Sequence, residues 1–552
     1  MTAAMIEKAW WKEATAYQIY PRSFKDSNGD GIGDLNGVTS KLDYLKDLGI
    51  DLIWICPIFA SPNDDNGYDI SDYQDIMADF GTMQDFDRLL AEAHKRGIKL
   101  ILDLVPNHTS DEHAWFKESR SSRDNPKRDW YIWKDESEIN NWESIFKGSI
   151  WEYDELTDQY YLHFFSKKQP DLNWENPEVR DAMCNMVNWW LEKGIDGFRI
   201  DAISVMKKAP GLPDLPNPDD LDYVPSIQAM MNVDGIIDFV DEMCERTFNK
   251  HGAVTVGEAN GVNPSSAVDW VGAQHNRLNM IFQFEHLALW QEGESNQLDL
   301  VKLKQVFNQW QQGMHGVGWN SLFVENHDIP RVVSKWGDTD NYWYESATSI
   351  AVMYFLMQGT PFIYQGQEIG MTNTQFQRVE DFDCVLMKNQ AKEMQREGMS
   401  DQAIIQALAP HARDNVRTPM QWDSSEHAGF SSATPWLAVN PNYSKINVAS
   451  QITDSNSVHG FYKQLIALRK QVESLIYGDF DLVLPKHERL FAYVRRYGDE
   501  STLVLVNFSD EELLLSAEEL GHEPSSLLLS NYSDFQATLN LRPFEAKVYT
   551  IN

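Results

Sequence analysis

Eight short runs rich in apolar residues recur along the first two thirds of the chain, at residues 14–24, 51–59, 99–107, 197–201, 253–258, 279–284, 321–328 and 361–368. Between them lie stretches long enough for amphipathic helices. Strands that read as near-continuous apolar runs are buried on both faces, and alternation with helices brings parallel pairing. Eight such units predict an α/β fold in which a parallel sheet closes into a (β/α)8 TIM barrel. A doubly wound open sheet also fits the alternation, but it gives no reason for eight units. Polar residues gather where the runs end: Asn107-His108, Arg199 and Asp201, Glu258, and Asn326-His327-Asp328. In a barrel all of these ends share one mouth.

The remaining segments read as attachments. Residues 107–175 are rich in Trp, Lys, Ser and Asp and too long for an ordinary βα loop, so they are expected to form a small inserted domain walling the mouth. Residues 1–106 and 176–478 then make the barrel. Residues 479–552 alternate in the manner of antiparallel strands and are expected to form a C-terminal β-sandwich domain. The Pro-rich stretch 210–225 reads as an irregular loop after the fourth strand.

Charge narrows the partners. With 47 basic and 83 acidic side chains the net charge is −36, which repels phosphate backbones and anionic membranes. Nucleic acid is not an expected partner, and a neutral substrate is. Aromatic residues make up 12% of the chain, with 19 Trp, which fits a pocket lined by the flat rings on which sugars stack. Cys56, Cys184, Cys244 and Cys384 are widely spaced and form no Cys-x-x-Cys pair, so they read as reduced thiols rather than zinc ligands or disulfides. There is no leader-like N-terminus and no apolar run of about 18 residues. A cytoplasmic protein is the expectation, and nothing in the sequence sets its oligomeric state.

Within Gly197-Phe-Arg-Ile-Asp201 the strand period puts Arg199 and Asp201 on one face. An Arg beside a carboxylate favours the ionised acid, which suits a nucleophile, although a structural ion pair has the same signature. Glu258 follows Val254-Thr-Val-Gly257, an apolar setting that raises an acid's pKa and suits a proton donor. Glycoside cleavage needs such a pair of carboxyl groups, one on each side of the anomeric carbon. His108 and His327 are candidates for hydrogen bonds to sugar hydroxyls.

The run Asp26-Ser-Asn-Gly-Asp-Gly-Ile-Gly-Asp34 sets oxygen side chains at every second position among glycines, as a hard cation requires. Its start resembles an EF-hand loop, but Gly37 stands where the closing Glu would be. A structural Ca²⁺ is expected, with Mg²⁺ or a solvated acidic turn as the alternatives.

Asp103-Leu-Val-Pro-Asn-His108, Gly197-Phe-Arg-Ile-Asp201, Gly257-Glu258 and Phe323-Val-Glu-Asn-His-Asp328 resemble, in order, the four sequence regions of the α-amylase superfamily, glycoside hydrolase family 13. Gln169-Pro-Asp-Leu-Asn173, Asp64-Asp-Asn-Gly-Tyr68 and Arg413-Asp-Asn-Val-Arg-Thr-Pro-Met-Gln-Trp422 are similar to its α-glucosidase and oligo-1,6-glucosidase branch. The resemblance implies Asp201 as nucleophile, Glu258 as general acid/base and Asp328 as the carboxylate holding the distorted ring, with Arg199, His108 and His327 around them. It implies that Asp65 pairs with Arg417 at the blind end of the pocket, Arg413 being the second choice, with Tyr68 beneath the terminal glucose. Phe146 and Phe165 match pocket-lining aromatics of the branch, with core packing as their alternative. The cation ligands carry over as Asp26, Asn28, Asp30, Asp34 and the carbonyl of Ile32.

A pocket so closed implies an exo-acting, retaining hydrolase that releases one glucose, with transglucosylation as a side reaction. The branch typically carries Val after the nucleophile in α-1,6 enzymes and Ala or Thr in α-1,4 enzymes. Ala202, together with Asn260 two residues past the acid, therefore points to short α-1,4-glucosides such as maltose. Oligo-1,6-glucosidase, sucrose isomerase or a trehalose-type transferase, and a noncatalytic barrel protein are the other readings. The Arg-rich loop expected of the isomerases is absent after Ile329-Pro-Arg331, and all three acids are present.

Overall fold

The computed structural model describes residues 6–289, 298–534 and 537–551; part of the N-terminal stretch read above for a leader lies outside these. Eight parallel strands form the central sheet: β1 Ala16–Ile19, β2 Leu52–Ile55, β3 Lys99–Leu104, β4 Gly197–Ile200, β5 Val254–Glu258, β6 Met280–Phe282, β7 Ser321–Leu322 and β8 Thr360–Tyr364. Their order is β6-β5-β4-β3-β2-β1-β8-β7. The Ile281–Asn320 bridge and the Ser321 hydroxyl donating to the Ile281 carbonyl join β6 to β7 and close the barrel. Seven of the eight expected runs contain one of these strands, and the eighth, 361–368, overlaps β8, which starts one residue earlier at Thr360.

Strand alternation sorts the side chains into two cores. Ala16, Leu52, Trp54, Ile101, Val254, Val256, Met280, Phe282 and Phe362 fill the barrel interior. Tyr17, Ile53, Leu100, Leu102, Phe198 and Ile363 face outward under the helices. The helix Met83–Lys95 shows how these helices start. Thr82 and Asp85 exchange bonds in a capping box, while Phe86, Leu89, Leu90 and Ala93 recur at helical spacing on its buried face. Gly197 opens β4 because a Cβ there would lie 1.8 Å from the Val254 carbonyl oxygen.

The inserted segment carries a helix, Ala114–Ser119, and a three-stranded antiparallel sheet of Trp133–Lys134, Gln159–Leu162 and Trp151–Asp154. It does not stand apart. Its Trp142, Ile150, Trp151, Leu162 and Phe164 share one core with Ala202, Val205, Leu212 and Met230 from the loop after β4. Trp142–Glu143 also pairs with Val224–Pro225 of that loop. At the C-terminus, β9 Asp479–Val483, β10 Leu490–Tyr497, β11 Glu500–Asn507, β12 Pro524–Ser530 and β13 Ala546–Ile551 form an antiparallel sheet in the order β9-β10-β11-β13-β12. One face joins the barrel's outer core through Phe491, Tyr493, Val504 and Val548. The other is covered by Leu513, Leu520 and Leu541, of which Leu513 and Leu541 are joined by an isolated bridge.

Candidate active site

Register places the central cation. Arg199 lies opposite Asp103 in the β3–β4 ladder and opposite Val256 in the β4–β5 ladder. Its guanidinium points into the barrel mouth and donates to Asp103 at 2.8 Å and to Asp201 at 2.7 Å through Nη1, and it meets Glu258 at 2.7 Å through Nη2. The chain turns sharply after β4. Ala202 takes a left-handed conformation, φ +45°, and its N–H donates to Glu258 at 3.0 Å. That turn keeps Asp201 and Glu258 on one cation.

A single guanidinium cannot neutralise three carboxylates. Burial pushes Asp201 well above the ordinary carboxylate range; Arg199 works against this, and the neighbouring Glu258 and Asp103 charges add to it. Burial likewise lifts Asp103 to about 6 against the pull of Arg199. This corrects the expectation that Arg199 alone keeps Asp201 ionised. The direction for Asp201 follows because a buried carboxyl facing other acids at close range is costly to ionise.

The third acid differs. Burial also works to raise Asp328, but Arg413, His327 and Arg417 outweigh it and hold the carboxyl well below its usual range. Arg417 donates to Asp328 at 2.7 Å and Arg413 lies 3.5 Å away. The expected Asp65–Arg417 pair is therefore not made. Arg417 spends its hydrogen bonds on Asp328 and on the His327 carbonyl. Asp65 instead accepts from Gln169 at 3.1 Å, and Arg413 is the cation that acts on it most strongly. Burial raises Asp65 to about 7 despite Arg413 and Arg417.

His327 lies stacked against Tyr68, ring centroids 5.4 Å apart, and against Tyr20 at 6.1 Å. With the Gln18 amide donating to Nδ1 at 2.8 Å, Nε2 carries the proton and donates to the Tyr68 hydroxyl at 2.7 Å. That hydroxyl donates onward to Asp103. Both ring nitrogens are thus engaged with protein groups, and His327 orders Tyr68 from behind instead of reaching into the cavity. Burial lowers His327 to about 3 and His108 to about 4, so both rings are neutral.

Asp201, Glu258 and Asp328 open into one cavity of about 260 Å³. At ~30 Å³ per water it has room for about nine waters, on the order of one pyranose ring and part of a second. Asp65, Tyr68, His108, Phe146, Phe165, Ala202 and Asn260 line it as expected, whereas Arg199, His327 and Arg417 sit behind the lining. Phe165 packs on His108 at 4.9 Å, and Arg413 lies over the Phe146 ring at 5.7 Å. Sequence reasoning missed Ile145, Phe164, Val205, Ile227, Met231, Phe284 and Ile329 as lining residues and gave Asp103 and Gln18 no role. Asp103 had a signal: a charged residue at an inward position of an otherwise apolar strand.

The cation loop has the donor chemistry of a hard-cation site but is held by its own hydrogen bonds. Asp26 accepts from the N–H groups of Asn28, Gly29 and Gly31 and from the Ser431 hydroxyl. Asp34 accepts from Ser27 and Gly37, and Asp30 from Ile32 and the Asn28 amide. Gly37 is required, since a Cβ there would lie 1.9 Å from the Lys25 carbonyl oxygen. Among the described residues no three acidic, His or Cys side chains converge closely enough to hold a metal. A cation would take the lone pairs that Asp30, Asp34 and Asn28 keep and displace a donor from Asp26.

Comparison with known proteins decides the family. The profile described as "Alpha amylase, catalytic domain" matches residues 18–478. The chain belongs to the alpha-amylase family. The "Probable oligo-1,6-glucosidase 3" of Bacillus subtilis (strain 168) is 52% identical over 99% of this chain and all of the relative. The oligo-1,6-glucosidase of Parageobacillus thermoglucosidasius is 50% identical at the same coverage. Among solved structures, trehalose-6-phosphate hydrolase of Bacillus licheniformis superposes with a TM-score of 0.93 at 42% identity, covering 99% of this chain and all of that one. The trehalulose synthase MutB of Pseudomonas mesoacidophila MX-45 does so at 0.93 and 41%, with the same coverage. This alpha-amylase family member is a glycoside hydrolase of the α-glucosidase and oligo-1,6-glucosidase group. Among the described residues no helix is long and apolar enough to cross a membrane.

Proposed function

We propose that this protein is a retaining, exo-acting α-glucosidase that releases glucose from the non-reducing end of short α-1,4-glucosides. The observation that carries the reading is that Asp65, Phe146, Phe165 and Arg413 line the same cavity as the three acids, where they would stop a longer chain beyond the terminal ring. Asp201 attacks the anomeric carbon while Glu258 gives its proton to the departing glycosidic oxygen, and a β-glucosyl ester forms on Asp201. Glu258, now a base, takes a proton from the water that attacks the ester, and α-glucose leaves. One guanidinium touching both acids favours the roughly 5 to 5.5 Å separation of a retaining pair over the wider spacing of an inverting one. Asp328, held as an anion chiefly by Arg413 and Arg417, accepts from hydroxyls of the ring as positive charge develops on it. A second sugar in place of water would give transglucosylation.

Ala202 and Asn260, both in the cavity lining, support the α-1,4 preference. The names of the relatives favour a second reading, cleavage of α-1,6 bonds. Initial rates on maltose, isomaltose, sucrose, trehalose and maltotriose, with products identified, separate the two. A higher kcat/KM on isomaltose than on maltose refutes the α-1,4 reading, and isomerised sucrose refutes hydrolysis as the main outcome. We further propose that the Asp26–Asp34 loop takes a structural Ca²⁺ through Asp26, Asn28, Asp30, Asp34 and the Ile32 carbonyl, with no part in the chemistry.

A further inference from the structure

Three separate pieces of backbone border the acid cavity: the segment after β3, the segment of the insertion that follows Gln159–Leu162, and the turn after the nucleophile. They meet at one side chain that none of the motifs includes. Lys208 is 8% exposed, and its ammonium lies 2.8 Å from Asn107 Oδ1, 2.7 Å from the Val205 carbonyl and 2.7 Å from Asp171 Oδ2. The ammonium donates to Asn107 and to the Val205 carbonyl and forms an ion pair with Asp171, so it touches all three segments.

Each acceptor is bonded or joined to a residue that lines the cavity. Asn107 precedes His108, and its amide contacts the His108 ring at 3.2 Å. Val205 lines the cavity itself. Asp171 forms a bridge with His108, and its Oδ1 accepts from the Phe164 N–H, which sets the Phe164 and Phe165 rings. We infer that Lys208 is a positioning residue that ties the insertion to the nucleophile turn and so fixes the wall against which the glucosyl ring is held over Asp201.

The alternative is that Lys208 only balances the buried Asp171 charge, which is fully covered. Breaking such a pair by removing one partner is destabilising whatever else the pair does. Removing both charges together separates the two roles. A neutral pair relieves the electrostatic penalty but leaves the three walls untied. Lys208→Arg keeps the charge but replaces a compact three-way donor by a planar fork that cannot meet three acceptors in the same directions.

The test uses the full chain and an aryl α-glucoside, so it rests on the family's hydrolase activity and not on the proposed linkage. kcat, KM and thermal midpoint are measured for wild type, Lys208→Arg and the Lys208→Met/Asp171→Asn pair. Positioning predicts a loss of ~10-fold or more in kcat for the neutral pair, because misplacement by about 1 Å costs up to ~10²-fold. It predicts a smaller loss in kcat for Lys208→Arg, with a thermal midpoint near wild type. A wild-type kcat in Lys208→Arg overturns the inference, and so does a neutral pair that folds and turns over at the wild-type rate. Should the neutral pair fail to fold, the kcat of Lys208→Arg decides.

Discussion

Asp65→Asn should lower activity and raise stability, and the gain in stability should depend on pH. The carboxyl has an ordinary value of 3.8 and is pushed to about 7 by burial in the folded site, against the pull of Arg413 and Arg417. The native state therefore binds this proton more tightly than the unfolded chain does. The resulting penalty is absent below about pH 4 and fully developed above about pH 7. At ~1.4 kcal/mol per decade it reaches on the order of 4 kcal/mol, of which about 2.5 kcal/mol develops between pH 5 and pH 8. Asparagine has the shape of the protonated acid and pays none of it. With an unfolding entropy on the order of 1.2 kcal/mol/K for a chain of this length, the variant's advantage in Tm should grow by about 2 °C from pH 5 to pH 8. Calorimetry or denaturant titration at the two pH values measures this, and under the proposed function kcat/KM should fall in parallel, since the variant lacks the anion proposed to accept sugar hydroxyls. An advantage that is the same at both pH values, or smaller at pH 8, refutes the assignment of a raised pKa to this buried acid.

Further outcomes follow from the same geometry. Arg199→Lys replaces a fork reaching Asp103, Asp201 and Glu258 with a single point charge, so kcat should fall by ~10²-fold or more and the pH–rate profile should shift, as steady-state kinetics across pH will show. Ala202→Val puts a β-branched residue at φ +45°, which should cost about 1–3 kcal/mol in denaturation and raise the isomaltose-to-maltose ratio of kcat/KM. If Ca²⁺ occupies the Asp26–Asp34 loop, its removal by chelator should lower Tm and its return should restore it, with kcat at low temperature unchanged; a Tm indifferent to chelation removes the cation from the account.

Much of the architecture was readable because it is local. An apolar run of four or five residues bounded by helix-length segments states its own burial, and eight of them leave few topologies. The three acids were legible for the same reason, each following directly from such a run. What could not be read were interactions whose partners are set by closure of the barrel. Arg417 faces Asp328 and not Asp65 because the loop after β7 and the segment near residue 417 arrive at the same side of the mouth. The insertion shares its core with the loop after β4, although composition marked it as a separate domain. Lys208 carries no sequence signal of its own, because two of its three acceptors, Asn107 and Asp171, are distant in the chain and are brought to it only by folding.

The sequence by itself determined the number of strands, the face each inward residue occupies and which carboxyl groups end at the mouth, since a strand's period of two settles orientation within a few residues. Only the tertiary structure decided how charge is shared among those carboxyl groups. Arg199 meets three acids, and Asp328 meets two arginines and a neutral histidine. Protonation in a buried site is fixed by short distances between residues that lie up to about three hundred and fifty positions apart.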